Sequence, residues 1–522
     1  MNIAQLFDEQ VDSRSDATAI SDFVGGQSRK TGFGRMQDLS RQLAAGFRSA
    51  GLKKGDRVMV FQPMSLELYV CLLALFRIGC AAMFLDPSAG RKHIDRCCKI
   101  LSPDAVVATP KAHLLRITSK QLRKVPQFFS TGIRLPFTSS LPFVVASTVE
   151  NADVHGDDAA LITFTSGSTG LPKAAIRTHG FLINQLEALS KSITFVAGET
   201  VLETMPIFGL ANLASGMTTL IPDVNLIAPG HIDPEPVVAQ IQKERPERLV
   251  ASPAFLEKLL SACDQPDPRL DSLRKVFTGG GPVFPALLKK AGLSCRNAEV
   301  TAVYGSTEAE PIAHIPLDEI DEDDFEKMAS GAGLLTGPVE PELDLRIMRN
   351  SWGTPLSELS ESGFNDSCLA PGEAGEIVVS GPHVLNGYYQ GRGDDETKFR
   401  VDGQIWHRTG DSGTLDKKGR LWLLGRCNAV IPLPDRILYP FAIETAAMQN
   451  PMVVRAALCR SGSEVVLCVE LEDSPAKDKV ITKFCKTIIE KVNRVEVVDK
   501  IPLDSRHNAK VDYTRLEKTI SK

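Results

Sequence analysis

The sequence predicts an α/β protein. A large N-terminal domain of α/β subdomains plus a small β-barrel-like subdomain spans residues 1–425, and a small α+β C-terminal domain spans 426–522. Three observations carry this reading. Short apolar, β-branched runs alternate with helix-type runs through the first four-fifths of the chain. After about Leu335 the texture changes to short strands parted by Gly-rich turns, and the region beyond Gly425 has strands of its own. Alternation of the first kind favours parallel sheets with ligand loops at the strands' C-terminal ends, whereas closely spaced strands and turns favour antiparallel pairing.

Taken in order, Arg57-Val58-Met59-Val60-Phe61 reads as a strand and 65–78 as a helix. Residues 81–85 form a second strand ending at Asp86-Pro87-Ser88, and 104–108 a third. The pattern repeats at 159–164, 248–251, 275–277 and 299–304. Strands at 376–380 and 421–424 belong to the antiparallel part, and the polar, turn-rich stretch 351–372 reads as a surface loop. The last unit contributes strands at 453–458 and 464–471. No repeat or low-complexity tract interrupts this order.

Composition narrows the function. A hydrophobic fraction of 43% and a charged fraction of 24% are those of an ordinary globular protein. A formal net charge of −5 argues against coating a polyanion, so no nucleic-acid partner is expected, although local basic clusters could still hold phosphates. Eleven cysteines are scattered without any C-x-x-C pair, and Cys97-Cys98 are adjacent. That pattern suits reduced cytoplasmic thiols packed as small hydrophobes. The N-terminus has no basic region followed by an apolar run, so no signal peptide is expected. The most apolar stretch, 66–85, carries Glu67 and Arg77; a buried helix feeding a strand explains it better than a membrane span. No pattern specifies an oligomeric state.

The segment Thr165-Ser166-Gly167-Ser168-Thr169-Gly170-Leu171-Pro172-Lys173 follows a strand and precedes a helix-type run at 180–192. Glycines admit a ligand close to the backbone, small hydroxyls and exposed N–H groups donate to phosphate oxygens, and Lys173 adds positive charge. The Walker A spacing is absent. Composition alone would equally allow a Ser/Gly linker; the strand before and the Pro-Lys ending favour phosphate binding.

This segment resembles the signature loop of the superfamily containing acyl-CoA synthetases, luciferases and peptide-synthetase adenylation domains. Four further segments resemble that superfamily's motifs in order. Phe277-Thr278-Gly279-Gly280-Gly281-Pro282 is similar to the lining of the adenine pocket. Tyr304-Gly305-Ser306-Thr307-Glu308 resembles the motif in which a tyrosine stacks on adenine, a threonine reaches the α-phosphate and a carboxylate holds Mg²⁺. Trp406-His407-Arg408-Thr409-Gly410-Asp411, followed by Gly425-Arg426, resembles the ribose-binding aspartate and the arginine at the domain junction. Arg506-His507-Asn508-Ala509-Lys510 resembles the catalytic-lysine segment. The resemblance implies ATP and Mg²⁺ as cofactors and a small-molecule acyl substrate. It also implies Lys510, Thr307 and Glu308 as catalytic residues, Glu308 as the Mg²⁺ ligand, and a mobile C-terminal domain that closes over the site.

Two departures refine the resemblance. The acidic hinge residue after the junction arginine is replaced by Asn428, and the tunnel glycine of CoA ligases is missing from Gly425-Arg426-Cys427-Asn428-Ala429-Val430. Met205-Pro206-Ile207-Phe208-Gly209-Leu210 also lacks the usual aromatic-histidine pair. The chain instead resembles the olefin β-lactone synthetase branch at Thr109-Pro110-Lys111-Ala112-His113, at 304–311, at Leu438-Tyr439-Pro440-Phe441-Ala442 and at 506–512. That branch adenylates a 2-alkyl-3-hydroxy acid, whose β-hydroxyl then closes a lactone. A fatty acyl-CoA or fatty acyl-AMP ligase is the alternative, and a non-catalytic nucleotide-binding relative the third. Phe208, Leu210, Leu213 and Met217 are candidates for an acyl pocket or for core packing, and His407 for a base or a structural histidine.

Overall fold

Strands rich in Val, Ile and Ala, each followed by a helix with one apolar face, dictate parallel pairing, and that is what the computed structural model contains. The structure describes residues 1–85, 90–144, 149–166, 171–450, 452–471, 492–503 and 511–520. The chain forms two compact units. One comprises Met1–Ala251, Ser272–Arg274 and Pro382–Asp394, the other Ser252–Asp271, Lys275–Gly381 and Asp395–Lys522. The expected domain boundary after Gly425 falls inside the second unit.

In the first unit one sheet runs Ser139–Ser140, Gln127–Ser130, Ala105–Ala108, Arg57–Phe61, Ala81–Phe84, Ala159–Ser166, Pro172–Thr178 in spatial order. Its strands are parallel until the closing hairpin between Ala159–Ser166 and Pro172–Thr178. The expected strands at 57–61, 81–85, 104–108 and 159–164 are thus present, with ends shifted by a residue or two. A second set, Arg248–Ala251, Thr200–Glu203, Thr218–Leu220 and Thr18–Val24, is also parallel and ends in the antiparallel strand Gln27–Gly32.

The apolar stretch at 66–85 is the helix Leu66–Arg77, buried on every side except at Glu67, running into the strand Ala81–Phe84. A helix apolar all round belongs in a core. Arg77 is tolerated there because its guanidinium is fully engaged. It donates to both Asp8 carboxylate oxygens at 2.6 and 2.7 Å, to Asn151 Oδ1 at 2.9 Å and to Ser40 Oγ at 3.0 Å. Among the described residues no helix is long and apolar enough to cross a membrane.

The second unit carries strands Lys275–Gly279, Glu299–Ser306 and Ala309–Pro316, the first pair parallel and the second an antiparallel hairpin. An antiparallel sheet follows, ordered Leu334–Pro338, Arg420–Arg426, Gln404–Leu415, Gly375–Ser380, Asp344–Met348, with Lys398–Val401 pairing Gln404–Leu415. This is the expected change of texture after Leu335. Within 351–372 the reading needs correction. Glu361–Ser367 is a helix, capped by Ser360 Oγ, and it buries Phe364 against Phe399 and Trp406. One apolar residue in a polar run carried too little periodicity to announce it. Finally Val453–Ser461, Glu464–Leu471 and Arg494–Val497 form a small sheet, with helices Pro440–Ala447 and Tyr513–Ile520 packed on it. The expected fold class, parallel α/β sheets, a small antiparallel sheet and a small α+β C-terminal part, is the observed one.

Glu203, at the end of its strand, is completely buried, and burial pushes its pKa up to about 8 despite N–H donors from Met205 at 2.9 Å and Asn212 at 3.3 Å. In the unfolded chain this carboxyl releases its proton near 4.5, so the native state binds the extra proton in between. Stability contributed by neutral Glu203 is therefore lost as pH rises from about 4.5 to about 8. The replacement Glu203→Gln is expected to remove that loss, on the order of 5 kcal/mol across the interval. Urea unfolding across this pH range checks it; an unchanged slope would place the titration elsewhere.

Candidate active site

Asp411 is aimed by a bulge. Along Gln404–Leu415, Ser412 faces Glu376 and Arg408 faces Val378, so Thr409-Gly410-Asp411 stand out from the ladder. Bulges re-aim side chains in this way. Gly410 lies at φ +72°, and a Cβ there would sit 2.7 Å from Arg426 Nη2 and 2.8 Å from Trp352 Cη2. Both conformation and space require glycine. Thr409 Oγ1 donates to the Ile377 carbonyl and accepts the Asp411 N–H, each at 3.0 Å, locking the bulge.

The Asp411 carboxylate then joins three strands. Its Oδ2 accepts the Tyr304 hydroxyl at 2.8 Å, and its Oδ1 accepts Nη1 of Arg426, its cross-strand partner, at 2.7 Å. Asp411 holds the Arg426 guanidinium more firmly charged. Burial, reinforced by Asp411, raises the Tyr304 hydroxyl well above its ordinary value, so it stays a donor. A carboxylate offers about four lone-pair sites, so roughly two remain to accept a vicinal diol such as a ribose.

Beneath lies the pair Arg408–Glu376, with side chains 0% and 1% exposed and bonds of 2.6 and 2.7 Å. Arg408 also donates to the Thr354 carbonyl at 2.7 Å and to Ser351 Oγ at 3.1 Å, and lies 5.4 Å from the Trp352 ring centre. Asn350 donates to the Cys427 carbonyl at 3.1 Å. Residues 351–354, expected as part of a surface loop, are therefore held on Arg408 and bring Trp352 against Gly410, next to Asp411. The lone tryptophan in that polar run was the only signal of this.

Thr307 and Glu308 form the turn between Glu299–Ser306 and Ala309–Pro316, and Ser306 Oγ accepts the Glu308 and Ala309 N–H groups at 3.3 Å. Gly279 faces Val303, whose carbonyl would lie 2.6 Å from a Cβ, and Gly280 lies at φ +77°. Gly281 and Gly305 continue the same strand ends. Tyr304, Asp411 and Arg426 are thus brought together, with Thr307 and Glu308 three and four residues along the hairpin from Tyr304. A single half-buried carboxylate at a turn fits Mg²⁺, which keeps waters and substrate phosphates rather than an all-protein cage. The carboxylates of Asp321, Asp323 and Asp324 also lie close together. There Asp321 and Asp324 form a helix capping box, and Arg420 takes Asp324 at 2.6 and 2.7 Å.

In the first unit Thr165 and Ser166 end the strand Ala159–Ser166, opposite Lys173 and Pro172. The helix-type run expected at 180–192 is the helix His179–Ile193, and the strand Pro172–Thr178, antiparallel to Ala159–Ser166, lies before it. Gly167, Ser168, Thr169 and Gly170 lie outside the described residues, as does Lys510. Lys173 is buried, with Nζ 3.4 Å from the Gly393 carbonyl and 5.4 Å from the Tyr388 ring centre. Gly393 lies at φ +102°, and a Cβ there would come within 2.5 Å of Lys173 Cδ. Phe208, Leu213 and Met217 are buried and Leu210 partly so, which suits core packing. His407 is buried with Nδ1 3.1 Å from the Thr397 carbonyl, an anchored position.

The family described as "AMP-binding enzyme" matches residues 7–389. The chain belongs to this family. This AMP-binding enzyme is therefore an ATP-using, acyl-adenylate-forming ligase. It is 30% identical to an olefin beta-lactone synthetase of Stenotrophomonas maltophilia (strain K279a), over 91% of this chain and 89% of that one. A second olefin beta-lactone synthetase, from Xanthomonas campestris pv. campestris, is 29% identical over 93% and 90%. Among solved structures, the amide bond synthetase McbA from Marinactinospora thermotolerans matches with a TM-score of 0.79, 20% identity and 99% coverage of both chains. That last likeness is one of fold.

Tyr304→Phe removes one hydrogen bond to Asp411. We expect KM for ATP to rise about fivefold, equivalent to about 1 kcal/mol, with kcat little changed. Pyrophosphate release checks this; an unaltered KM would mean that Tyr304 does not help to place the carboxylate.

Proposed function

We propose that this AMP-binding enzyme activates a long-chain 2-alkyl-3-hydroxy acid as its acyl-AMP and closes it to a β-lactone, releasing diphosphate and AMP. The observation that carries the reading is the likeness to two olefin beta-lactone synthetases over 91% and 93% of the chain. The replaced hinge acid at Asn428 and the missing tunnel glycine support it, since an internal nucleophile needs no pantetheine channel.

In this reading Asp411 accepts the ribose hydroxyls, Tyr304 stacks on adenine beside Gly279, Gly280, Gly281, Gly305 and Ser306, and Arg426 keeps Asp411 oriented. Thr165, Ser166, Gly167, Ser168, Thr169, Gly170 and Lys173 cradle the outer phosphates. Glu308 would hold Mg²⁺, which when bound supplies positive charge to the phosphate oxygens. A substrate carboxylate oxygen forms a bond to the α-phosphorus as the bond to the bridging oxygen breaks, and pyrophosphate leaves in line. Thr307 and Lys510 meet the negative charge that builds on the α-phosphate; placed charge of this kind supplies most of the acceleration in phosphoryl-type transfers. The β-hydroxyl oxygen next attacks the acyl carbon, its proton passes to a base, and the acyl–oxygen bond to AMP breaks. Residues 426–522 form the mobile lid that delivers Lys510. We place the enzyme in the cytoplasm, for which its scattered cysteines argue.

Incubation with ATP, Mg²⁺ and a 2-alkyl-3-hydroxy acid, with and without CoA, should give a product one water lighter than the acid, without need of CoA. A thioester formed only with CoA would identify an acyl-CoA ligase, and an accumulating acyl-AMP an acyl-AMP ligase. No AMP release with any acid would identify a nucleotide-binding relative without catalysis. Lys510→Ala should abolish adenylation while ATP binding persists; retained turnover would remove Lys510 from the mechanism.

A further inference from the structure

Between residues 105 and 149 the chain contains Lys111, Arg116, Lys120, Arg123, Lys124 and Arg134 and not one Asp or Glu, although its net charge is −5. The fold puts this segment at one edge of the first unit's parallel sheet, as short helices Pro110–His113 and Leu115–Thr118, a turn at Leu122–Lys124, and the strands Gln127–Ser130 and Ser139–Ser140. Of the six basic side chains all but Arg116 are exposed.

Large apolar side chains point outward from the same place: Leu114 is 55% exposed, Ile117 72%, Ile133 78% and Phe137 95%. Arg116 ties the Phe137 turn to the helix Leu115–Thr118: it lies 4.5 Å from the Phe128 ring centre and donates to the Pro136 and Phe137 carbonyls at 3.2 Å each. The loop is fixed by further bonds, Arg134 Nε to the Thr138 carbonyl at 2.9 Å and Ser130 Oγ to the Ile133 carbonyl at 2.9 Å. Leu135-Pro136-Phe137-Thr138 is a β-turn closed by the Thr138 N–H on the Leu135 carbonyl at 3.1 Å. Phe137 sits in it at φ +60°, a place that favours glycine. A bulky ring held in a strained conformation and left in solvent contributes nothing to the core, so its use must lie outside the chain.

We propose that this face docks the enzyme on an anionic lipid bilayer. Aromatic and aliphatic tips inserted at the headgroup level, ringed by lysines and arginines, are the chemistry of an interfacial anchor. The segment contributes no carboxylate of its own, and Asp95, which reaches it from the neighbouring helix, is taken up by Ser119 Oγ at 2.6 Å and the Gln121 N–H at 3.2 Å. Docking here is separate from the acceptor chemistry proposed above and stands or falls independently of it.

The test is co-sedimentation of the full-length protein with vesicles. Phosphatidylcholine containing phosphatidylglycerol should carry the protein down at low ionic strength, pure phosphatidylcholine should carry far less, and high salt should release it. Phe137→Gly should reduce the bound fraction about fivefold, while its melting temperature holds or rises because the strained position now carries the residue it favours. Arg123→Glu with Lys124→Glu should reduce binding further. No sedimentation with anionic vesicles, equal binding to neutral ones, or binding unaltered in both variants would overturn the proposal.

Discussion

One carboxylate holds the second unit's functional end together. Asp411 takes a hydroxyl from the strand Glu299–Ser306 and a guanidinium from Arg420–Arg426, and it sits on Gln404–Leu415 between them. Its position exists only because the strand bulges, and the bulge exists only because residue 410 is glycine. Below it the Arg408–Glu376 pair is entirely out of water. Such a pair is a poor source of net stability, but removing either partner leaves an uncompensated buried charge. What it provides here is position. Arg408 fixes the strand just before the bulge and, through Thr354 and Ser351, the segment that brings Trp352 against Gly410. Donors and acceptors set before the ligand arrives need no reorganisation when charge develops.

The rest of the site follows the same economy of backbone ends. The Gly279 backbone packs against the Val303 carbonyl at a distance no side chain permits, which draws the Gly279-Gly280-Gly281 turn up beside the strand that carries Tyr304. Two residues beyond that strand, Thr307 and Glu308 occupy a turn whose N–H groups are satisfied by Ser306. In the first unit Lys173 repeats the theme. An ammonium in a buried place is oriented by the Gly393 carbonyl and the Tyr388 ring, and a glycine is demanded where its aliphatic stem passes.

Much of this was legible in the sequence, for definite reasons. Parallel strands buried on both faces must be written as unbroken apolar runs, so 57–61 and 248–251 could be read to the residue. Tyr304, Asp411 and Arg426 were found as separate motif fragments, and pairing in space joined them. What escaped reading depended on contacts between distant segments. The strand Pro172–Thr178 is short of β-branched residues until Ile176, so the helix beyond it was the stronger signal. Trp352, Arg408 and Gly393 gain their roles only from neighbours tens to hundreds of positions away.

The informative residues are those that break the rule of their surroundings. Arg77 interrupts the most apolar run in the chain, Glu203 buries a carboxyl among hydrophobes, Arg408 lies in a strand interior, and Phe137 stands in water. An average over 522 residues erases all four, just as a net charge of −5 conceals a forty-five-residue stretch from 105 to 149 with no acid in it. Each departure costs free energy that the fold must offset elsewhere, so each asks what compensates it. For Arg77 and Arg408 the compensation is visible as a closed set of hydrogen bonds, and the residue is structural. For Phe137 nothing among the described residues covers the exposed ring. That difference, and not exposure alone, separates a buried polar group that completes the architecture from a surface group directed at something beyond it.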